Sequence, residues 1–166
     1  SSKTKVLKPS SGSLGKGIHI WSSIPKQSIF KKEDFPYLIQ EFHDTSWGFY
    51  DLCKWVHDFR VIILNGEIIA KLLREPKLGK YITNTHQWWE LHVISDFKIP
   101  REIQEVIDEI DSHCQKFEHR YYSIDMGIWK KWGVKVFELN AAPGFPDQHT
   151  AKLFWEYTAK NILKVT

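Results

Sequence analysis

Asn65-Gly66 lies between two apolar runs, 59–64 and 67–73, and an Asn-Gly pair so placed is the strongest two-residue signal for a β-hairpin. So short a connection makes the flanking strands antiparallel. A second hairpin is expected from 122–129 and 134–139 around the string KKWG at 130–133. Between the two, Pro100 opens a helix whose apolar residues, Ile103, Val106, Ile107, Ile110, Cys114 and Phe117, form a one-sided stripe. Hairpins with separated helices argue against a parallel βαβ array and for an α+β chain with an antiparallel sheet and flanking helices.

The remaining segments fit around that frame. The chain opens as strand, glycine loop, strand: residues 6–8, PSSGSLGKG at 9–17, then 18–21. A short strand is expected at 37–42, and 43–57 reads as an inserted loop or short helix. Residues 75–99 read as a long loop with some strand at 91–94. Asp147 is expected to cap a last helix containing Leu153, Phe154, Tyr157 and Ile162.

Composition narrows the function classes. With 166 residues, 42% of them hydrophobic and 26% charged, the chain is long enough and apolar enough to bury a core. No apolar run approaches the roughly 20 residues of a membrane span. A net charge of +3 without a clustered patch gives no case for nucleic acid. Two cysteines, Cys53 and Cys114, are too few for a disulfide framework, and the eight histidines have no zinc-site spacing. A reducing, cytoplasmic setting is the expectation. The sole methionine is Met126, so the sequence is expected to continue a longer protein.

Three clusters carry chemistry. Gly12, Gly15 and Gly17 would let backbone N–H groups turn toward a phosphate, with Lys16 adding charge; a plain flexible connection fits the same residues. In the second hairpin, a four-residue connection at KKWG sets Asp125 opposite Glu138, with Cβ atoms about 5 Å apart. Asn140 projects from the same face, and a register slip of one residue would instead send Asp125 to solvent. Two opposed carboxylates repel unless a cation or a shared proton lies between them, and oxygen-only ligands suit magnesium carrying substrate phosphates. Removing either carboxylate should then leave the metal-free chain as stable or more so. Third, Asp58 and Arg60 share a strand face, which a plain solvated face would also explain, whereas Arg74 ends an apolar run where an anion partner is expected.

In chain order these residues are Lys8-Pro9, the glycine loop, Gln40-Glu41-Phe42, Asp58-Phe59-Arg60, Arg74, Asn84, Asp125 and ELNAAPG at 138–144. The series resembles the ATP-grasp superfamily over nearly the whole chain. Its nearest flavour is the glutamate ligases that extend ribosomal-protein and cofactor C-termini, with tubulin-ligase-like enzymes more distant. The resemblance implies a remainder of the small lobe at 1–42 and a large lobe at 43–166. It places Lys8 on the α/β-phosphates, and Gly12, Ser13, Gly15, Lys16 and Gly17 over the β/γ-phosphates. Gln40, Glu41 and Phe42 would meet the adenine edge, and Asp58 the ribose. Arg60, Arg74 and Asn84 would be catalytic, the arginines neutralising phosphate or an acyl-phosphate. Asp125, Glu138 and Asn140 would bind one or two Mg2+, or Mn2+ in its place.

The implied activity is an ADP-forming carboxylate–amine ligase, joining small-molecule or peptide substrates and completed by an N-terminal domain upstream. A nucleotide-binding module without ligase activity, or a kinase on the same fold, are the alternatives. One departure bears on them: Trp88-Trp89 stands where the family has glycines beside the reacting groups. Trp21, Trp129 and Trp155 are expected in the core. Trp47, Trp55, Trp88 and Trp89 are expected to line a cleft or to face the upstream domain.

Overall fold

The computed structural model describes residues 4–10, 17–22, 32, 36–76, 89–129 and 133–161. The elements are β1 (Lys5–Pro9), β2 (His19–Trp21), β3 (Tyr37–Glu41), β4 (Asp58–Leu64), β5 (Glu67–Pro76), β6 (Trp89–Val93), α1 (Arg101–Cys114), β7 (Tyr121–Trp129), β8 (Gly133–Asn140) and α2 (Gln148–Asn161). The chain divides into two compact units, Ser1–Asp44 with Pro76–Glu90, and Thr45–Glu75 with Leu91–Thr166.

The first unit holds an antiparallel sheet in the order β2-β1-β3. Leu7 is fully buried at its centre. Val6 pairs with Gln40 and Lys8 with Leu38, so the alternation of side chains puts Lys8 and Gln40 on one face. Gly17 has a φ of 75°, a left-handed conformation open to glycine at no steric cost, where the chain enters β2.

The second unit is built on a five-stranded sheet, β6-β5-β4-β7-β8. Its first hairpin turns at Asn65 (φ 52°) and Gly66 (φ 93°), the paired left-handed residues that a two-residue connection of this hand needs. Phe59, Val61, Ile63, Ile124 and Met126 project from one sheet face into a core with Ile103 and Ile107 of α1. Full burial of each such side chain stabilises by roughly 1.5–3 kcal/mol. The expected stripe of α1 is therefore real, but the helix ends at Cys114 and Phe117 lies beyond it, 55% exposed.

The 43–57 insertion has no regular element, yet it closes the core. Phe49 is fully buried, its ring centroid 4.8 Å from that of Phe59. His57 ties this segment to β7: its Nε2 accepts the Ile128 N–H at 3.1 Å, so Nδ1 carries the proton and donates to the Trp55 carbonyl at 3.2 Å. Burial pushes the His57 pKa down, outweighing the carbonyls of Trp55 and Thr45 that favour the charged ring.

Asp147 caps α2 as expected, its Oδ1 accepting the Thr150 N–H at 2.7 Å. Phe154 then packs on Tyr121, ring centroids 4.6 Å apart. Of the tryptophans expected in the core, Trp155 is a correction: it projects from α2 at 59% exposure, because the helix buries its Thr150 and Phe154 side instead. Trp21 is half-buried, and the Trp129 side chain lies outside the described residues. No helix among the described residues is long and apolar enough to cross a membrane.

Candidate functional site

Register assembles the site. Arg60 pairs with Asp125, Asp58 with Arg74, Asp125 with Glu138, and Ser123 with Asn140. Side chains two apart on a strand, or directly opposite on neighbouring strands, share a face. Asp58, Arg60, Arg74, Asp125, Glu138 and Asn140 therefore all stand on the sheet face away from the Phe59–Ile124 core.

The Asp125–Glu138 pairing arises by a route the sequence did not reveal. Trp129 pairs with Gly133, so the connection is three residues and not the expected four. A straight ladder from that pair would set Asp125 against Phe137. Phe137 is instead an extra residue in β8, a bulge that shifts the register and brings Glu138 across from Asp125.

The electrostatics also differ from two bare carboxylates in opposition. Asp125 is only 5% exposed. Arg60 grips it with two parallel bonds, Nε to Oδ1 and Nη2 to Oδ2, both 2.5 Å. Arg74 Nη2 donates to Asp125 Oδ2 at 2.7 Å and also to Asp58 Oδ2. The cation beside Asp125 is thus a pair of guanidinium groups, while Glu138 is exposed to solvent. Burial pushes the Asp58 carboxyl up to about 7, partly offset by Arg74 and reinforced by the charge of Asp125. Burial opposes the Arg74 charge, but Asp58 and Asp125 outweigh it and hold that guanidinium above its usual range.

Several polar groups on this face have no partner among the described residues. Asp58 Oδ1, Arg74 Nε and Ser123 Oγ are buried without a hydrogen bond. Asn140 Oδ1 accepts the Ala142 N–H at 2.9 Å, which turns the chain out of β8. Among the described residues, no group of three or more His, Cys, Asp or Glu is arranged to hold a metal by itself.

Other sequence-derived residues sit in the first unit. Lys8, Gln40 and Glu41 lie on β1 and β3, and Gly17 precedes β2. The Phe42 N–H, implied to face an adenine, donates to the Thr4 carbonyl at 3.0 Å. Gly12, Ser13, Gly15, Lys16, Asn84 and Trp88 lie outside the described residues, as does the Trp89 side chain. Sequence reasoning missed Ser123 and Gly127. Both flank Asp125 at a spacing of two, so the alternation that placed Asp125 would have placed them too.

No family model and no curated protein sequence matches the chain. Solved structures do. The ATP-grasp ligase PsnB complexed with a phosphomimetic variant of its minimal precursor, Mg and ADP superposes with a TM-score of 0.56 at 16% identity, covering 93% of this chain and 46% of that one. PsnB with its minimal precursor gives 0.51 at 18%, covering 87% and 41%. D-alanine–D-alanine ligase from Bacillus anthracis gives 0.53 at 18%, covering 85% and 44%. The chain spans less than half the length of each. At such identities the likeness speaks for architecture, and the architecture of this chain is the ATP-grasp fold.

Proposed function

We propose that the chain is the catalytic portion of an ATP- and magnesium-dependent carboxylate–amine ligase, of the glutamate-ligase-like kind. Residues 1–42 would be the remainder of its small lobe and 43–166 its large lobe. The observation that carries the reading is one strand face with Asp125 opposite Glu138 and with Arg60 and Arg74 in bonding reach, on an ATP-grasp fold.

The donor set suits the ion. Magnesium binds through one or two carboxylates and completes its shell with water and phosphate oxygens. Two carboxylates and an amide fit that need with nucleotide phosphates present. Asp125, Glu138 and Asn140 would hold the ion, and when bound it neutralises phosphate charge.

The chain's own residues position and stabilise. A substrate carboxylate oxygen attacks the γ-phosphorus, the bond to the bridging oxygen breaks, and ADP leaves. Arg60 and Arg74 offset charge on the phosphoryl group in flight and on the acyl-phosphate. An amine then attacks the acyl carbon, expelling phosphate and losing a proton. Lys8, the 12–17 glycine string and the 40–42 strand end would hold the nucleotide, Asp58 its ribose, and Asn84 the reacting groups.

ADP release measured with candidate carboxylates and amines tests the reading. Release that needs both substrates, with a new amide detected by mass spectrometry, supports a ligase. Phosphorylated product without any amine requirement would mean a kinase. Mg-ATP binding without turnover, in the chain extended to its full natural length, would mean a nucleotide-binding module.

A further inference from the structure

The buried arginine pair on Asp125 does more than neutralise it. A carboxylate offers about four lone-pair sites, and three are filled here, by Arg60 Nε, Arg60 Nη2 and Arg74 Nη2. With 5% exposure left and three sites filled, Asp125 has little to offer a cation while both guanidinium groups remain. The groups the ligase reading needs for a metal and for a phosphate are occupied by each other.

We propose that Arg60 and Arg74 are a stand-in for the metal, and that metal and polyphosphate enter together by partner exchange: Asp125 passes from arginine to cation as the arginines pass from Asp125 to phosphate. This rests on the ligase reading of the same site. The ion pairs support it. Within this network Asp125 and Asp58 are the carboxylate partners of Arg60 and Arg74, while Glu138 lies in solvent. A divalent ion arriving alone would leave two partly buried guanidinium groups short of counter-charge, which is strongly unfavourable. A polyphosphate arriving alone would do the same to Asp125. Both together satisfy everyone.

The two arginines have different freedom. Arg74 is also bound to Asp58, so it can pivot while staying anchored, and its Nε is a spare donor. Among the described residues both side-chain hydrogen bonds of Arg60 go to Asp125, so Arg60 is the one that must swing away. The exchange makes the site refuse metal-free nucleotide and nucleotide-free metal alike, which guards against unproductive occupation.

The exchange predicts opposite signs for one substitution. Arg60→Gln should bind Mn2+ alone at least tenfold more tightly than the parent chain, by electron paramagnetic resonance of the free ion. It should bind the Mn2+ complex of a non-hydrolysable ATP analogue more weakly, by calorimetry. Unfolding curves establish that the variant is folded. Should it not fold, the parent chain labelled with 15N-arginine answers the same question: the Arg60 Nε–H resonance should stay put with Mg2+ alone and shift with Mg2+ plus analogue. Unchanged Mn2+ affinity in folded Arg60→Gln, or an Arg60 resonance indifferent to Mg2+ plus analogue, overturns the exchange alone, provided nucleotide binding still needs metal. Analogue binding that ignores metal altogether overturns the metal assignment and the exchange with it.

Discussion

The strands β7 and β8 form one hairpin with one alternation, yet they treat a carboxylate in opposite ways. β7 runs between β4 and β8, and Ser123, Ile124, Asp125, Met126 and Gly127 are all buried. β8 is the sheet edge, and its Glu138 and Leu139 are exposed although they pair with Asp125 and Ile124. An inner strand denies its carboxylate water, so the protein must supply a counter-charge, and it supplies two arginines. An edge strand leaves the carboxylate to solvent. Position in the sheet, not residue type, sets the role.

The sharpest way to break this comparison is Asp125→Asn. The substitution strips both arginines of their shared partner inside the protein, and breaking a buried pair this way costs about 3–5 kcal/mol. Urea unfolding in metal-free buffer should show that loss. Relief of repulsion from Glu138 would predict an equal or higher stability, and that result would return the site to two bare carboxylates.

Gly127→Ala probes the same inner strand by volume alone. A Cβ there would sit 2.6 Å from Thr45 Cγ2 and 2.7 Å from Phe137 Cζ. Overpacking of this kind typically costs about 1–3 kcal/mol. Because Phe137 is the bulge residue that brings Glu138 into register, the variant should lose metal-dependent nucleotide affinity as well as stability. A fully stable variant with parental nucleotide binding would mean that the bulge tolerates displacement of the Phe137 ring.

How much of this was legible follows from what kind of information each feature needs. The Asn65-Gly66 turn, the α1 stripe and the Asp147 cap are local patterns, and all three are in the structure. The Asp125–Glu138 pairing was reached through a connection one residue too long, and the bulge at Phe137 made up the difference. Bulges depend on packing on both strand faces and leave no reliable mark in one sequence. The arginine–carboxylate network was only half legible. Strand alternation put Asp58 with Arg60, but nothing local says that β4 pairs with β7 and places Arg60 across from Asp125. The burial of Phe49 and His57 in an irregular segment was illegible for the same reason: no period announces it.

A smaller effect comes from Asp58, on the inner strand β4. Its carboxyl is raised from 3.8 to about 7 by burial, so the folded chain binds that proton more tightly than the unfolded chain does. Its contribution to stability is fully present below the ordinary carboxylate range and is lost as pH rises to about 7. Asp58→Asn should therefore flatten the fall in stability between those limits relative to the parent, in thermal melts run across that range. His57 slopes the other way. Its lowered pKa favours the unfolded state as pH drops below 6.5, so the two groups can be separated by direction. An Asp58→Asn profile that parallels the parent's would show that Arg74 keeps Asp58 ionised throughout.

The smallest stability effect should come from Glu138→Gln, and it is the most informative about the edge strand. Glu138 faces water, and surface substitutions away from special features usually fall within about 0.5 kcal/mol. Melting of the metal-free variant should overlay that of the parent. Metal-dependent nucleotide affinity should nevertheless drop, because Glu138 is the carboxylate of the pair that no arginine holds and that a cation can reach first. The order of events in the exchange depends on this. A metal-bearing nucleotide would be met by Glu138 in solvent before Asp125 gives up its arginines, so Glu138→Gln should slow association more than it speeds release. Stopped-flow binding of a fluorescent ATP analogue with Mg2+ separates the two rates. An unchanged association rate with faster release would make Glu138 a holding ligand only, and the first capture of metal would then belong elsewhere on this face.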